Sequence, residues 1–297
     1  MYFLIFILPL FAFLYSAMFG RFFGRNLAIF FSILLIFISF ILSAFIFFEV
    51  VLSYSVVSLK LFNWVVFDIN VITFGFLFDS LTSTMLLIIT GISFLVHVYS
   101  VGYMSHDPFI CRFISYLSLF TFFMLFLVTA DNFLQMFIGW EGVGLCSYLL
   151  INFWFTRILA NKAALKAMIM NRIADIFFII AIAFILLTFK SVDFLLVFSL
   201  IDFVRYDDVV IFNFSINKIT FISFLFFIGA VGKSAQLGLH TWLPDAMEGP
   251  TPVSSLLHAA TMVTAGVFLI LRTSAFFEFS GFVLTLVAII GGFKFAR

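Results

Sequence analysis

Five ionisable side chains fall within residues 229–266 of a chain that is otherwise strongly apolar: Lys233, His240, Asp245, Glu248 and His258. A charged side chain at the bilayer centre costs roughly 2.5–3.5 kcal/mol on insertion scales. Ionisable residues in such segments therefore usually pair with one another or mark an ion pathway. Because amine, imidazole and carboxyl groups all exchange protons, the segment predicts proton transfer inside a membrane.

Glu141 lies among glycines in the run GWEGVG, within a segment apolar enough to cross lipid. The glycines allow a neighbouring helix to approach closely. Lys233 is the cation that we expect at this carboxyl, and two such groups in contact would titrate as a coupled pair. The pair could form and break during proton transfer, or it could be a static ion pair that fixes helix packing.

Glycines around Lys233 predict an interruption of its helix, since Gly229 and Gly232 precede the lysine and Gly238 follows it. A broken helix at membrane depth exposes backbone groups, which are tolerated where they line a polar cavity. We therefore expect water to reach Lys233. The Gly-Lys-Ser triplet does not form a phosphate-binding loop, because Phe227 stands where that motif needs glycine.

Four further residues are candidates for the same path. His258 begins the run HAATMVTAG, and an imidazole with an ordinary pKa near 6.5 can donate or accept a proton. A buried interhelical hydrogen bond is its alternative role. Arg172 and Asp175 are three residues apart on one helix and are expected to pair, although Asp175 could instead tune Glu141 or Lys233. Lys166 is expected near the membrane face, with an inward-reaching side chain as the alternative.

Composition places these residues in an all-α polytopic membrane protein. Of 297 residues, 65% are hydrophobic and 10% charged, and the mean hydropathy is +1.30. The net charge of +1 offers no basic face for nucleic acid. Two cysteines are too few for a metal cluster. Nine segments are long enough to span a bilayer, near residues 2–19, 27–52, 79–103, 113–130, 133–154, 164–189, 217–238, 252–273 and 275–293.

Two connectors differ from short loops. Residues 62–78 are rich in β-branched and aromatic side chains, which predicts a surface hairpin of strands. Residues 191–216 carry four aspartates, which predicts a solvated acidic loop. Alternation of the spans places eight basic residues, among them Arg25, Arg112 and Arg157, on one side, against five on the other. The positive-inside rule favours that side as matrix or cytoplasm.

Three ordered runs resemble the antiporter-like membrane subunits of NADH:ubiquinone oxidoreductase, respiratory complex I: IGWEGVGLCSYLLINFW (138–154), NKAALKAMIMNRIADIF (161–177) and residues 229–266. The resemblance implies a discontinuous helix at Lys233 and a proton relay of Glu141, Lys233, His258 and Asp175. Supporting positions are Arg172, Lys166, His240 and Glu248. The resemblance implies no cofactor in this chain, with FMN and iron–sulfur clusters in partner subunits.

The resemblance also divides the chain into N-terminal membrane helices with the hairpin (1–112), a first half-channel repeat (113–274) and the start of a further helix (275–297). The family continues with a second, inverted repeat. We expect a separate chain to supply it, with loss of that half as the alternative. The other expected partners are membrane-arm subunits of complex I and lipids. Fifty phenylalanines suggest the AT-rich codon bias of many mitochondrial genomes. We therefore expect the mitochondrial inner membrane, with a bacterial plasma membrane as the alternative.

Three functions are compatible with these residues. The first is a proton-translocating subunit that couples quinone reduction to pumping. The second is the large subunit of a multisubunit Na⁺/H⁺ antiporter, whose sequences resemble the same motifs. The third is a scaffold subunit that moves no protons, against which the joint presence of Glu141, Lys233, Asp175 and His258 argues.

Overall fold

The structure, a computed structural model, describes residues 2–20, 22, 24–67, 70–211 and 214–295. Long apolar helices dominate it, as expected where the backbone must satisfy its own hydrogen bonds in lipid. The N-terminal part comprises α1 (Leu4–Leu14), α2 (Arg25–Phe47), β1 (Val57–Phe67), β2 (Asn70–Phe78), α3 (Ser80–Tyr103), α4 (Ile110–Val128) and α5 (Phe133–Ile151). Turns of π-helix at Tyr15–Phe19 and Phe48–Leu52 extend α1 and α2.

The remainder begins with the longest helix, α6 (Ile158–Phe189), followed by α7 (Phe194–Val204), β3 (Asp208–Ile211), β4 (Phe214–Asn217) and α8 (Lys218–Lys233). Short helices α9 (Trp242–Asp245) and α10 (Thr251–Ser254) lead into a π-helical segment, Ser255–Thr261. The chain continues through α11 (Met262–Arg272), α12 (Ser274–Glu278) and α13 (Gly281–Phe295).

Within the described residues, six helices are long and apolar enough to cross a membrane: Arg25–Leu52, Ser80–Tyr103, Ile110–Val128, Phe133–Trp154, Ile158–Phe189 and Thr251–Arg272. These confirm the predicted all-α polytopic fold. The other three predicted spans are shorter helices, namely Leu4–Phe19, the 16-residue α8 and the 15-residue α13. The predicted span 217–238 ends early because α8 stops at Lys233. The predicted span 275–293 is divided between α12 and α13 at Phe279–Ser280.

Both connectors contain regular structure. The antiparallel β1–β2 hairpin starts at Val57, earlier than the predicted 62–78, and residues 68 and 69 at its turn lie outside the described residues. The prediction of a loop at 191–216 is wrong, although Asp202, Asp207 and Asp208 are exposed, as predicted for a solvated acidic segment. Helix α7 occupies much of it because its apolar side chains pack inward, with Phe194, Val197 and Ile201 buried. Asp193, just before α7, is itself buried.

Polar caps fix where two of the membrane helices begin. At α3, Asp79 Oδ1 accepts the Thr82 N–H and Thr82 Oγ1 accepts the Asp79 N–H, both at 2.8 Å. This reciprocal capping box satisfies donors that lack partners within the helix. At α5, Asn132 Oδ1 accepts the Gln135 N–H at 2.7 Å. The caps hold the starts of α3 and α5 beside the hairpin, where the Leu77 N–H also bonds the Thr129 carbonyl at 2.9 Å.

Candidate functional site

Helices α5, α6 and α8 meet at a close contact made of small residues and flat rings. A Cβ atom at Gly232 of α8 would lie 2.2 Å from the Ala174 Cβ of α6, so only glycine allows this approach. The Phe178 ring of α6 packs edge-on against Trp140 of α5, with ring centroids 5.2 Å apart. This contact sets the spacing of the three helices that carry Glu141, Asp175 and Lys233.

Lys233 is the last residue of α8 and is fully buried, with 0% of its surface exposed. Its Nζ donates a hydrogen bond to the Trp140 carbonyl at 2.9 Å. The same Nζ lies 5.3 Å from the centroid of the Trp140 ring, within cation–π range. Gly144 provides the space, because a Cβ there would lie 2.9 Å from Nζ.

Trp140 joins this lysine to Asp175. The Trp140 indole N–H donates to Asp175 Oδ1 at 2.6 Å, and Asp175 is only 3% exposed. The lysine and the aspartate thus bond the backbone and the side chain of the same residue. Lys233 and Asp175 are thus linked through Trp140. A change of protonation at one of them alters the electrostatic environment of the other.

Glu141 lies on an adjacent face of α5 and pairs with Arg172 of α6, whose Nη1 is 2.5 Å from Glu141 Oε1. Among the described residues, neither the predicted Glu141–Lys233 pair nor the predicted Arg172–Asp175 pair lies within ion-pair distance. The reason is helical geometry. Side chains of consecutive residues diverge by about 100°, so the Glu141 side chain points away from that of Trp140 and reaches Arg172 instead of Lys233.

A pocket of about 270 Å³ lies beside the Glu141–Arg172 pair. Its polar lining comes from Glu141, Asn171, Arg172 and Asp175, and its floor includes Gly144. Asn171 Oδ1 is buried without a hydrogen-bond partner in the described part of the chain. The lining offers several acceptors and donors to water, which is the condition for a hydrated cavity in protein. Glu141 and Asp175 thus line one common pocket, whose remaining wall is mostly apolar.

The helix break predicted at Lys233 is confirmed. The chain leaves α8 at Ser234, and Gly238 adopts φ +101°, a conformation that residues with a Cβ rarely adopt. Two of the last carbonyls of α8 accept hydrogen bonds from groups beyond the end of the helix. The Gln236 N–H bonds the Val231 carbonyl at 3.0 Å, and the Trp242 indole bonds the Gly232 carbonyl at 3.1 Å. These bonds satisfy backbone groups that could not remain unpaired in a membrane.

The supporting residues occupy different places. Lys166 Nζ pairs with Asp245 Oδ2 at 2.6 Å, at the end of the bundle where α6 begins, and both side chains are partly exposed. His240 is half-buried in the connector after α8, and its Nδ1 has no hydrogen-bond partner among the described residues. Glu248 is exposed. None of these three contacts Lys233 or Glu141 through a hydrogen bond or ion pair within the described ranges.

His258 belongs to the π-helical segment Ser255–Thr261, but its side chain lies outside the described residues. Its predicted part in the relay stays a prediction. The hydroxyl of Thr261, three residues after His258, donates to the Leu256 carbonyl at 2.7 Å.

Trp140 is the site residue that sequence reasoning missed. The available signal was an indole N–H in a membrane helix, which needs an acceptor when buried. A second group of charges was also missed, at the hairpin side: Asp79–Arg272, Asp131 and Lys60–Asp193. Burial raises the pKa of Asp131 and of Asp193 above the ordinary value, and the nearby Lys60 charge opposes the shift.

Comparison with known proteins gives two family matches. Residues 130–294 match the family described as NADH:quinone oxidoreductase/Mrp antiporter, transmembrane. The chain belongs to this family. Residues 64–114 match a second family, described as NADH-ubiquinone oxidoreductase (complex I), chain 5 N-terminus.

Relatives of this chain include NADH-ubiquinone oxidoreductase chain 5 of Metridium senile, 53% identical over 98% of this chain and 47% of the relative. The chain 5 protein of Chondrus crispus is 52% identical over 98% of this chain and 44% of its own length. The chain thus spans less than half the length of these two relatives.

Similar solved structures include two membrane complexes. A structure of the Mrp complex from Dietzia sp. DQ12-45-1b matches 91% of this chain and 28% of its own chain, with a TM-score of 0.70 and 26% identity. A structure of an archaeal membrane-bound sulfane sulfur reductase covers 96% of this chain and 55% of its own chain, with a TM-score of 0.81. At 17% identity, the second likeness shows the fold alone.

Proposed function

We propose that this chain is a proton-translocating membrane-arm subunit of NADH:ubiquinone oxidoreductase. The observation that carries the proposal is the fully buried ammonium of Lys233 at the end of a broken helix, one tryptophan away from Asp175. Ionisable groups buried inside a membrane protein are typical of proton paths. NADH oxidation and quinone reduction belong to partner subunits that hold FMN and iron–sulfur clusters, and no cofactor is assigned to this chain.

Two carboxylates, Glu141 and Asp175, can each change the protonation of Lys233. In this structure Glu141 is neutralised by Arg172, whereas Asp175 is bound to Trp140. If the Glu141–Arg172 pair opens, Glu141 can take a proton from the pocket or attract the Lys233 ammonium. Proton transfer then follows from a change of pairing, and no new group has to enter the site. The predicted Glu141–Lys233 contact belongs to that alternative state of the relay.

Lys233→Ala tests the proposal in the assembled complex. We expect NADH oxidation by the complex to continue with fewer protons moved per NADH. Lys162→Ala is the matched control. Lys162 is exposed near the start of α6 and lies at neither Lys233 nor Asp175. Full pumping stoichiometry in assembled Lys233→Ala complex would refute the transport role and favour the scaffold function.

A multisubunit Na⁺/H⁺ antiporter is the second candidate, favoured by the likeness to the solved Mrp complex. Native gel electrophoresis of solubilised membranes, stained for NADH dehydrogenase and analysed by mass spectrometry, separates the two. Flavin and iron–sulfur subunits in the band with this chain support the first function. A flavin-free assembly of small membrane subunits supports the second.

The same band tests the partners and the location. Half of the Arg172 side chain is exposed (56%) near the middle of the 32-residue α6, at a depth where lipid would leave its charge unsolvated. A neighbouring membrane-arm subunit would cover it. A second antiporter-like chain in the band would support the predicted partner that supplies the other repeat. Recovery from mitochondrial inner membranes would support the predicted location.

A further inference from the structure

A second pocket, of about 550 Å³, lies where the end of the first helix faces the first turns of α2 and α4. It shares no lining residue with the pocket beside Glu141. One part of its wall is apolar or aromatic, with Phe13, Ala17 and Tyr116. The other part is polar, with Arg25, Arg112 and Ser115. A pocket with these two kinds of wall fits an amphipathic ligand.

The two arginines give this pocket an uncompensated positive charge. An Arg25 Nη2–H group donates to the Ser105 carbonyl, and an Arg112 Nη2–H group donates to the Phe153 carbonyl at 3.3 Å. Within the described residues, neither guanidinium lies within ion-pair distance of a carboxylate. Arg112 Nε is buried and lacks a hydrogen-bond partner in the same part of the chain.

Asp107, the acidic residue nearest in sequence to Arg112, does not neutralise the arginine. Asp107 Oδ1 accepts the Phe109 N–H at 2.8 Å, and its Oδ2 accepts the Trp154 indole N–H at 3.2 Å. The Arg112 guanidinium instead lies over the Phe109 and Phe153 rings, with its Cζ atom 4.9 Å from each ring centroid. Contact with ring faces holds the guanidinium and leaves N–H groups available to an anion.

The pocket is at the level of the lipid headgroups. Arg25 opens α2 and Arg112 stands in the first turn of α4, so both lie where a membrane helix begins. This end of the bundle is the one that the basic residues predict to face the matrix or cytoplasm. The leaflet on that side carries the anionic lipids, and basic pockets between membrane helices bind their headgroups.

We propose that this pocket binds an anionic phospholipid, with its phosphate on Arg25 and Arg112 and its glycerol and upper acyl chain against Phe13 and Ala17. Two guanidinium groups can hold one phosphate through charge-assisted hydrogen bonds. The apolar wall excludes a free phosphate ion as the natural occupant, because it would leave that wall in contact with water. The proposal is independent of the function of the Lys233 site.

Lipid retention by the full chain tests this. The chain is reconstituted in nanodiscs with equal amounts of phosphatidylglycerol and phosphatidylcholine, and the lipids that it retains on release are counted by native mass spectrometry. We expect phosphatidylglycerol to be retained preferentially. Arg25→Gln should lower this preference about fivefold, the effect of one cation near a lipid phosphate.

Two further variants separate the charge from the shape of the pocket. Ala17→Phe keeps both arginines but fills the apolar wall, so it should also lower phosphatidylglycerol retention. Arg157→Gln removes a charge at the same end of the bundle, where Arg157 stacks on Trp154 outside the pocket, and should leave the preference unchanged. Equal retention of the two lipids by the unaltered chain would overturn the proposal. So would wild-type preference in both Arg25→Gln and Ala17→Phe.

Discussion

At the scale of single residues, the site depends on a tryptophan that accepts a bond through its backbone and donates one through its side chain. The Trp140 carbonyl receives the Lys233 ammonium, and the Trp140 indole holds Asp175. Both bonds involve a charged partner in a buried place, where a hydrogen bond to an ionised group is worth roughly 1.5–3 kcal/mol. Trp140 therefore positions the two groups that we assign to proton transfer.

Trp140→Phe should lower both stability and pumping. The phenyl ring keeps most of the packing against Phe178 but leaves Asp175 Oδ1 without its indole donor. We expect a loss of about 1–3 kcal/mol, the cost of an unsatisfied buried acceptor. Thermal unfolding of the solubilised protein and proton uptake by proteoliposomes measure the two effects.

Trp154→Phe is the matched control for that change. The Trp154 indole also bonds an aspartate, Asp107, at 3.2 Å, but in a half-buried loop. Water can replace the lost donor there, so stability and pumping should both stay close to wild type. Equal effects of the two substitutions would contradict the role given to Trp140.

Gly144→Ala tests the space around the ammonium. The added methyl group would lie 2.9 Å from Lys233 Nζ and should displace it from the Trp140 carbonyl. Because the displaced atom ends a flexible side chain, we expect the complex to assemble but to pump fewer protons per NADH. Gly102→Ala is the control, since nothing lies within 4 Å of its Cβ position. Unchanged pumping in Gly144→Ala would show that this geometry is not needed.

At the scale of elements, the sequence predicted the helices and the break but not the pairing between them. The apolar runs fix where helices form, and the glycines after α8 carry the signal for its end at Lys233. Which carboxylate meets which cation depends on helix rotation. A spacing of three put Arg172 and Asp175 on one face, yet Arg172 reaches Glu141 across the α5–α6 contact. Tertiary neighbours decide such pairs, and a single sequence does not contain them.

The Asp79–Arg272 pair ties the start of α3 to the end of α11 and should make stability depend on pH. Burial alone would raise the pKa of Asp79, but the Arg272 charge and the Thr82 donors hold it below the ordinary value. A lowered folded-state pKa means that the carboxylate stabilises the fold at neutral pH. This contribution is lost as the pH falls below about 4 toward the lowered value.

Asp79→Asn measures that contribution, because asparagine keeps the helix cap and removes the charge. We expect a loss of about 3 kcal/mol at pH 7, since Arg272 is left buried and unpaired, and a smaller loss at pH 3. Thermal unfolding in detergent at the two pH values provides the measurement. Asp207→Asn, in the more exposed Lys218–Asp207 pair, should cost less than about 1 kcal/mol. Equal losses for Asp79→Asn at both pH values would contradict the electrostatic account.

At the scale of the whole molecule, the exposed Arg172 side chain indicates a protein-facing surface on α6. Met168 lies one turn before Arg172 on the same face and is also exposed. A benzophenone attached at Met168→Cys should cross-link another membrane subunit in native membranes, as read by immunoblot and mass spectrometry. The same label at Leu95→Cys on α3, a position that is also apolar and is more exposed, is the comparison. Cross-links to lipid alone at Met168→Cys would refute the covered surface.

The early end of α8 has an electrical consequence. Aligned peptide dipoles place about half a negative charge at the carboxyl end of a helix, and Lys233 stands in the last turn of α8. The backbone itself therefore compensates part of the ammonium charge, whatever the protonation state of Asp175 or Glu141. Asp175 and Glu141 therefore need to balance only the part of the Lys233 charge that the helix dipole does not compensate. A lysine balanced in this way can respond to a shift of a single proton nearby, which an ordinary mid-helix lysine in a closed ion pair would resist.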